Sequence, residues 1–136
     1  MSLLRLDHVV IAVADLDRAV AGCQEAGFTV MPGGQHPGRN THNALVVFDD
    51  GSYLELIAYR APSPDERWWR QLDAHGDGYV DFALLPHDLP AVVAQAQARG
   101  LADITGPLPG GRLRPDGERV AWQTARQGQH DLPFLC

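Results

Sequence analysis

Apolar and polar positions follow two different periods along this chain of 136 residues. Short apolar runs that are rich in β-branched residues predict buried strands at Leu6–Val13 and Tyr79–Leu85. Each run precedes a stretch in which apolar residues recur every three or four positions, as in an amphipathic helix. The pattern therefore predicts a strand followed by a helix, and it predicts this pair twice.

The two helical stretches begin and end with the same residue types at the same spacing. Asp15-Leu16 is followed by Gly27, and Asp88-Leu89 is followed by Gly100, so the second stretch repeats the first at an offset of 73 positions. Asp is favoured as an N-cap, and Gly is favoured in the left-handed position after a helix. The sequence therefore contains an internal repeat, with one capped helix in each half.

Further strands are expected after each helix. They are predicted at Phe28–Met31 (closed by Pro32-Gly33-Gly34), Ala44–Phe48 and Tyr53–Tyr59 in the first half, and at Arg119–Gln123 and Leu132–Cys136 in the second. The segment Asp49-Asp50-Gly51-Ser52 is typical of a hairpin turn. Each half is thus β-α-β-β-β, and one half alone would leave a sheet face uncovered. We expect one α+β domain over residues 1–136, with two paired modules (4–60 and 78–136) curled around a shared cleft.

A linker helix is predicted between the modules, over residues 63–75. Ser63 as N-cap, Pro64 in the first turn and Glu66 three residues after the cap form a capping box. Gly76 follows as the stop signal. Trp68 and Trp69 are expected to pack this helix onto the sheet, with stacking on a ligand as the alternative.

Composition narrows the functional classes. The formal net charge of -6 argues against a nucleic-acid surface, because phosphate binding needs clustered basic residues. No segment is long and apolar enough for a membrane span, and the N-terminus lacks the form of a signal peptide. Two cysteines do not make a disulfide framework. A soluble cytoplasmic protein is the expectation.

Two polar residues stand inside predicted apolar strands. His8 directly precedes the apolar run Val9–Val13 of the first strand, and Glu55 lies between Leu54 and Leu56 in "SYLELIAY". A polar side chain there must face a cleft or find a partner, because burying it alone is costly. His8 and Glu55 could converge on a ligand, or they could simply hydrogen-bond to each other.

The chain resembles the vicinal oxygen chelate superfamily, which includes glyoxalase I, extradiol dioxygenases and bleomycin-resistance proteins. The resemblance rests on two β-α-β-β-β modules with a His on the first strand and a Glu on the fourth. More narrowly, "LDHVVIAVADLDRAV", "GFTVMPGGQHPGRNTHNALVVFDDGSYLELIAY" and "RPDGERVAWQ…LPFL" resemble the glyoxalase-like domain family. The resemblance covers nearly the whole chain, and it implies the fold more firmly than the reaction.

The resemblance implies a metal site with one ligand from the first and fourth strands of each module. The corresponding residues are His8 and Glu55 in module one, and Asp81 and Phe134 in module two. Phe134 has no ligand atom, and Cys136, two residues on, ends the chain. The expected metal ligands are therefore His8, Glu55 and Asp81, with Zn, Ni, Mn or Fe as the metal.

Four further residues are candidates for binding substrate: His36, Asn43, Arg114 and Trp122. His36 and Asn43 belong to a Gly-rich loop and the strand after it, and such loops often carry binding residues. His36 could equally be a surface histidine. Arg112 and Arg114 could clamp a carboxylate or enolate, and a salt bridge to surface acids is the alternative for Arg112.

The function implied by the resemblance is a small-molecule enzyme of lyase, isomerase or oxygenase type. Its substrate would carry adjacent oxygens, with Glu55 and His8 as the catalytic residues and a divalent metal as Lewis acid. The alternative is a protein of the bleomycin-resistance type that binds a flat molecule without chemistry. A glutathione-dependent glyoxalase is disfavoured, because the metal positions are incomplete. The resemblance also implies a homodimer, and we expect that the chain is shortened at Cys136.

Overall fold

The structure is a computed structural model that describes residues 4–129 and 131–136, and these ranges contain eight strands and three helices. The elements are β1 (Arg5–Ala12), α1 (Leu16–Glu25), β2 (Met31–Gln35), β3 (Thr41–Val47), β4 (Tyr53–Tyr59), α2 (Arg67–His75), β5 (Gly78–Leu85), α3 (Leu89–Ala98), β6 (Thr105–Leu113), β7 (Arg119–Arg126) and β8 (Phe134–Leu135). Module one comprises β1 to β4 with α1. Module two comprises β5 to β8 with α3, and α2 links them.

The strands form one closed sheet in the order β1-β4-β3-β2-β6-β7-β8-β5. β1 runs parallel to β4, β5 runs parallel to β8, and the other neighbours are antiparallel. The two modules thus have the same internal order, and they meet at β1–β5 and at β2–β6. The predicted α+β fold of two paired modules around a cleft is confirmed.

The pairing of β1 with β5 shows the internal repeat directly. His8 lies opposite Ala83, and Val10 lies opposite Asp81. An offset of 73 residues converts each of these pairs into the other. The predicted correspondence between His8 and Asp81 is therefore confirmed as a local twofold relation.

Both helix caps match the sequence pattern. The Oδ1 atom of Asp15 accepts a hydrogen bond from the Arg18 backbone N–H, and Oδ1 of Asp88 accepts one from the Ala91 N–H, each at 3.0 Å. Gly100, shortly after α3, has a φ of +100°, which a side chain would disfavour. Local chemistry therefore sets the ends of α1 and α3.

The linker helix begins later than predicted. α2 starts at Arg67, after a turn in which the Glu66 N–H donates to the Ser63 carbonyl at 2.9 Å. The Glu66 carboxylate does not close a capping box, because it accepts hydrogen bonds from Arg39 and Tyr59. Tertiary contacts thus replace the local cap, and the helix spans 67–75 instead of 63–75.

β2 and β6 contain glycines and prolines that the sequence analysis did not place inside strands. Pro32-Gly33-Gly34 lies inside β2 and does not end it, and the Pro- and Gly-rich β6 was not predicted at all. A Cβ on Gly33 would lie 2.0 Å from Asn43 Oδ1, and one on Gly110 would lie 2.4 Å from Trp122 Nε1. These glycines allow close approach inside the sheet and do not mark turns.

Two apolar clusters surround the cleft. One joins α2 to the inner strands through Val10, Ile57, Trp68 and Phe134. The other lies under α3 and comprises Leu89, Val93, Ile104, Ala125 and Leu135. In the part of the chain that the structure describes, none of the helices has both the length and the apolar character needed to cross a bilayer.

Candidate functional site

The closed sheet encloses a cleft of about 1000 Å³, lined by residues of both modules. Module one contributes His8, His36, Asn43 and Glu55 to its wall, and all four are buried. The opposite wall carries Asp81, Arg126 and Phe134 from module two, with Trp68 from the linker helix. The cleft is large enough for a small organic molecule.

Glu55 is the centre of the polar cluster in module one. Its Oε1 accepts a hydrogen bond from Asn43 Nδ2 at 2.8 Å, and its Oε2 lies 3.4 Å from His8 Nε2. His36 Nε2 lies 3.8 Å from Oε1. These contacts follow from the pairing of β4 with β1 and β3, because Glu55 lies opposite Val10 and opposite Leu45. The sheet therefore brings four of the predicted residues together.

His8 is held on three sides. Its Nδ1 lies 2.7 Å from Asp7 Oδ2, and its ring stacks on Tyr53 with centroids 4.5 Å apart and planes 11° apart. The ring edge of Phe134 lies on another side, with centroids 5.5 Å apart. Asp7 reaches His8 because β1 bulges there: Leu6 pairs with Leu84 and His8 with Ala83, so Asp7 is the extra residue.

The network fixes the charges in this cluster. Burial alone would lower the pKa of His8, but hydrogen bonds and charges from Asp7 and Glu55 outweigh it and raise this pKa to about 9. Burial would likewise raise the pKa of Glu55, yet His8 and Asn43 hold it below its ordinary value. Burial lowers the pKa of His36. At neutral pH the site therefore holds an imidazolium, a carboxylate and a neutral imidazole.

The second module holds its acid differently. The Oδ2 atom of Asp81 accepts hydrogen bonds from Arg67 Nη2 and from Trp68 Nε1, the latter at 2.9 Å. Its Oδ1 accepts one from the Phe82 N–H at 2.9 Å. Asp81 thus ties α2 to β5, and its carboxylate charge is balanced by Arg67.

Phe134 stands where module one has Glu55. Val10 pairs with Glu55, and at the symmetry-related place Ala83 pairs with Phe134. Among the described residues, the group of ligand atoms that lie within 4.8 Å of one another belongs to Asp7, His8 and Cys136. This group is not the predicted set of His8, Glu55 and Asp81. Burial also raises the pKa of the Cys136 thiol to about 12, so without a metal this thiol is protonated at neutral pH.

The remaining predicted residues are divided between cleft and surface. Trp122 lines the cleft and meets the His36 ring edge-on, with centroids 6.4 Å apart. Arg114 lies at the β6–β7 turn, where it pairs with Asp116 and Glu118, and it is not part of the cleft wall. Arg112 takes its place, since it lines the cleft and donates to the Gly33 carbonyl.

Sequence reasoning missed several residues of the cleft wall. They are Asp7, Tyr53, Arg67 and Arg126. Strict alternation along β1 would direct Asp7 away from His8, and only the bulge brings the two together. Arg126 could have been found, because it continues the alternation of Trp122 and Thr124 along β7, whose predicted end at Gln123 was too early.

The fold and the paired cleft define a protein of the vicinal oxygen chelate superfamily. A family model described as "Glyoxalase-like domain" matches residues 6–136, so the chain belongs to the glyoxalase-like domain family. The resemblance noted from the sequence is thereby confirmed. Comparison with curated proteins yields no match.

Solved structures share the fold at low sequence identity. A hypothetical protein from Staphylococcus aureus has 20% identity and a TM-score of 0.81; the match covers 98% of this chain and 58% of that one. Methylmalonyl-CoA epimerase from Mycobacterium tuberculosis has 20% identity and a TM-score of 0.67, over 96% and 83%. A variant of the Streptomyces coelicolor methylmalonyl-CoA epimerase, in complex with 2-nitronate-propionyl-CoA, has 23% identity and a TM-score of 0.68, over 96% and 94%. The chain thus spans little more than half of the Staphylococcus protein.

Proposed function

We propose that this protein is a small-molecule enzyme of isomerase or lyase type, which moves a proton at a carbon beside a carbonyl group. The substrate would carry adjacent oxygens, as the superfamily resemblance implies. The observation that supports the proposal is the Glu55 carboxylate in the cleft wall, held by His8 on one oxygen and by Asn43 on the other. This carboxylate is ionised at neutral pH and lies in the cleft wall, so it can accept a proton from a bound molecule.

Each residue has a defined part in this reaction. Glu55 accepts the proton from carbon, and the C–H electron pair forms the enolate double bond while negative charge moves to the carbonyl oxygen. His8 is already cationic. When Glu55 accepts the proton, its negative charge no longer balances the charge of His8, which then stabilises the enolate oxygen. In an isomerase the proton returns to carbon; in a lyase a neighbouring group leaves with its electron pair.

The metal implied by the resemblance does not fit this donor set. His8 and Glu55 converge, but Asp81 is already bound by Arg67 and Trp68, and Phe134 offers no ligand atom. We therefore assign no step to Zn, Ni, Mn or Fe. Metal analysis of protein purified without chelator tests this: we expect substoichiometric metal. One bound ion per chain that is lost in His8→Ala would instead support the ligand set of His8, Glu55 and Asp81.

A second candidate is a binding protein without catalysis. Four aromatic side chains, those of Tyr53, Trp68, Trp122 and Phe134, line the cleft. Such walls suit a flat organic molecule. In this candidate the cluster around Glu55 only orients the ligand.

Deuterium exchange separates the two candidates. Compounds with an acidic C–H beside a carbonyl are incubated with the protein in D₂O, and loss of the proton signal is followed by NMR. The panel contains 2-oxo acids, 2-hydroxy ketones and a methylmalonyl thioester, the last because epimerases share this fold. We expect exchange that falls at least a hundredfold in Glu55→Gln and is unchanged in Glu118→Gln, an exposed acid outside the cleft. Binding without exchange would favour the second candidate.

The homodimer also remains a proposal, prompted by the family resemblance. Light scattering distinguishes one chain of 14.8 kDa from two. A molecular mass that stays at one chain throughout the micromolar concentration range would contradict it.

A further inference from the structure

Arg126 projects into the cleft from the end of β7. Residues on this strand alternate: Trp122, Thr124 and Arg126 line the cleft, while Ala125 packs on the other face, under α3. The Arg126 side chain remains exposed to the cleft. The pairing of β7 in the sheet therefore directs the Arg126 side chain into the cleft.

Two aromatic rings support the Arg126 guanidinium. Its Cζ atom lies 4.6 Å from the centroid of the Phe134 ring and 5.1 Å from that of Trp68. Contacts of this kind attract a cation without using its N–H donors, because the ring face supplies only a quadrupole. The N–H groups of Arg126 thus remain available to another molecule.

The other arginines that reach into the cleft from the same region already have partners. Arg39 pairs with Glu66, and Arg67 pairs with Asp81. Within residues 4–129 and 131–136, no carboxylate lies within salt-bridge distance of Arg126. Arg126 is therefore a cation of the cleft without a carboxylate partner of its own, because the nearby acids Asp81 and Glu66 are paired with other arginines.

Arg112 and Arg119 also line the cleft, and among the residues that the structure describes neither has a carboxylate at salt-bridge distance, but their surroundings differ from those of Arg126. Arg112 donates to the Gly33 carbonyl and so helps to join β6 to β2. Arg119 begins β7 and lines the cleft at an exposed position, and within the described residues no aromatic ring lies against its guanidinium. Among these side chains Arg126 is the one supported by rings of the cleft wall.

Arg126 also lies beside a residue that the internal repeat relates to Glu55. Phe134, which supports the guanidinium, occupies the place related by symmetry to Glu55, where the superfamily resemblance implies a metal ligand. A metal held by a ligand at that position would attract anionic oxygens of a substrate. A guanidinium attracts them too, and its parallel N–H groups fit a carboxylate in a bidentate manner.

We propose that Arg126 forms a carboxylate-binding subsite in the module-two half of the cleft, and that the substrate is a small carboxylic acid. This inference narrows the substrate class of the proposed enzyme, and it rests on that proposed function. Binding of a carboxylate does not itself require turnover. The subsite and the chemistry at Glu55 can therefore be tested separately.

The test compares matched charged and neutral probes. Pyruvate, phenylpyruvate and methylmalonate are each paired with their methyl esters, and dissociation constants are measured by isothermal calorimetry. For the wild type we expect at least one acid to bind ten times more tightly than its ester. We expect Arg126→Gln to remove this preference and leave the ester affinity within twofold. Arg126→Lys, which keeps the charge without the bidentate geometry, should retain part of it, and Arg114→Gln, outside the cleft, all of it.

Three outcomes overturn the subsite: no acid in the panel is preferred over its ester, the preference survives in Arg126→Gln, or Arg126→Gln weakens acid and ester equally. Far-ultraviolet circular dichroism of each variant shows whether it is folded. If Arg126→Gln does not fold, the comparison is made with Arg126→Lys. Failure of the proposed reaction gives a different result. In that case the acid preference depends on Arg126, but no deuterium exchange is seen with any compound.

Discussion

We expect that replacing His8 with glutamine makes the stability of this protein much less dependent on pH. The fold raises the pKa of His8 from 6.5 to about 9. A histidine whose pKa is higher in the folded state stabilises the protein fully below its unfolded pKa, and this contribution is lost as the pH rises through the folded pKa. The stabilisation is therefore largest below pH 6.5 and fades towards pH 9.

The magnitude follows from the two pKa values. At about 1.4 kcal/mol per pKa unit, the linked stabilisation is about 3 kcal/mol at pH 5.5 and about 1 kcal/mol at pH 8.5. The wild type should thus lose about 2 kcal/mol across this interval relative to His8→Gln. Its source is the pair of carboxylates, Asp7 and Glu55, on either side of the ring.

Urea unfolding, followed by tryptophan fluorescence at pH 5.5, 7.0 and 8.5, measures this difference. The range stops at pH 8.5 because the Cys136 thiol, with its pKa raised to about 12, begins to oppose folding once the unfolded thiol ionises. Burial lowers the pKa values of His36 and His42, which act in the opposite direction but equally in both proteins. His87→Gln, an exposed histidine, is the matched control. Parallel pH profiles for the wild type and His8→Gln would refute the charged state assigned to His8.

Three further changes test other parts of the structure. Gly110→Ala places a Cβ 2.4 Å from Trp122 Nε1, so we expect a loss of about 1–3 kcal/mol in urea unfolding, and an unchanged midpoint would contradict the close packing. Asp88→Ala removes the N-cap of α3 and should cost about 1 kcal/mol, which a thermal melt would show; no shift would mean that the cap is dispensable. Phe134→Glu puts a carboxylate beside the Arg126 guanidinium, and calorimetry should then show no preference for acids over esters, whereas a preserved preference would place the anion elsewhere.

The repeated features of the fold could be predicted because they depend on local chemistry. An Asp cap, a Gly stop and an apolar strand before them recur at a fixed offset, so the sequence alone predicts two equivalent modules. The errors occur where distant contacts decide. Glu66 lost its capping role to Arg39 and Tyr59, and the glycines of β2 and β6 serve close packing against Asn43 and Trp122.

The polar cluster was predictable for a related reason. His8 and Glu55 are polar residues in apolar strands, and burial forces such residues to find partners. Asp81 follows the same rule, but its partner is Arg67 on the linker helix. No pattern in the sequence predicts that pairing. Asp7 escaped prediction because a bulge reverses the direction that alternation assigns to it.

The two junctions between the modules are unequal in strength. β1 and β5 pair along nearly their whole length, whereas β2 and β6 pair at one register position, Gln35 opposite Leu113. Few backbone hydrogen bonds must break to part the second junction, and low local stability concentrates at such places. We therefore expect the β2–β6 junction to open more readily than the β1–β5 junction. Hydrogen exchange would show this, because backbone amides at the β2–β6 junction would then exchange with solvent sooner than those shared by β1 and β5.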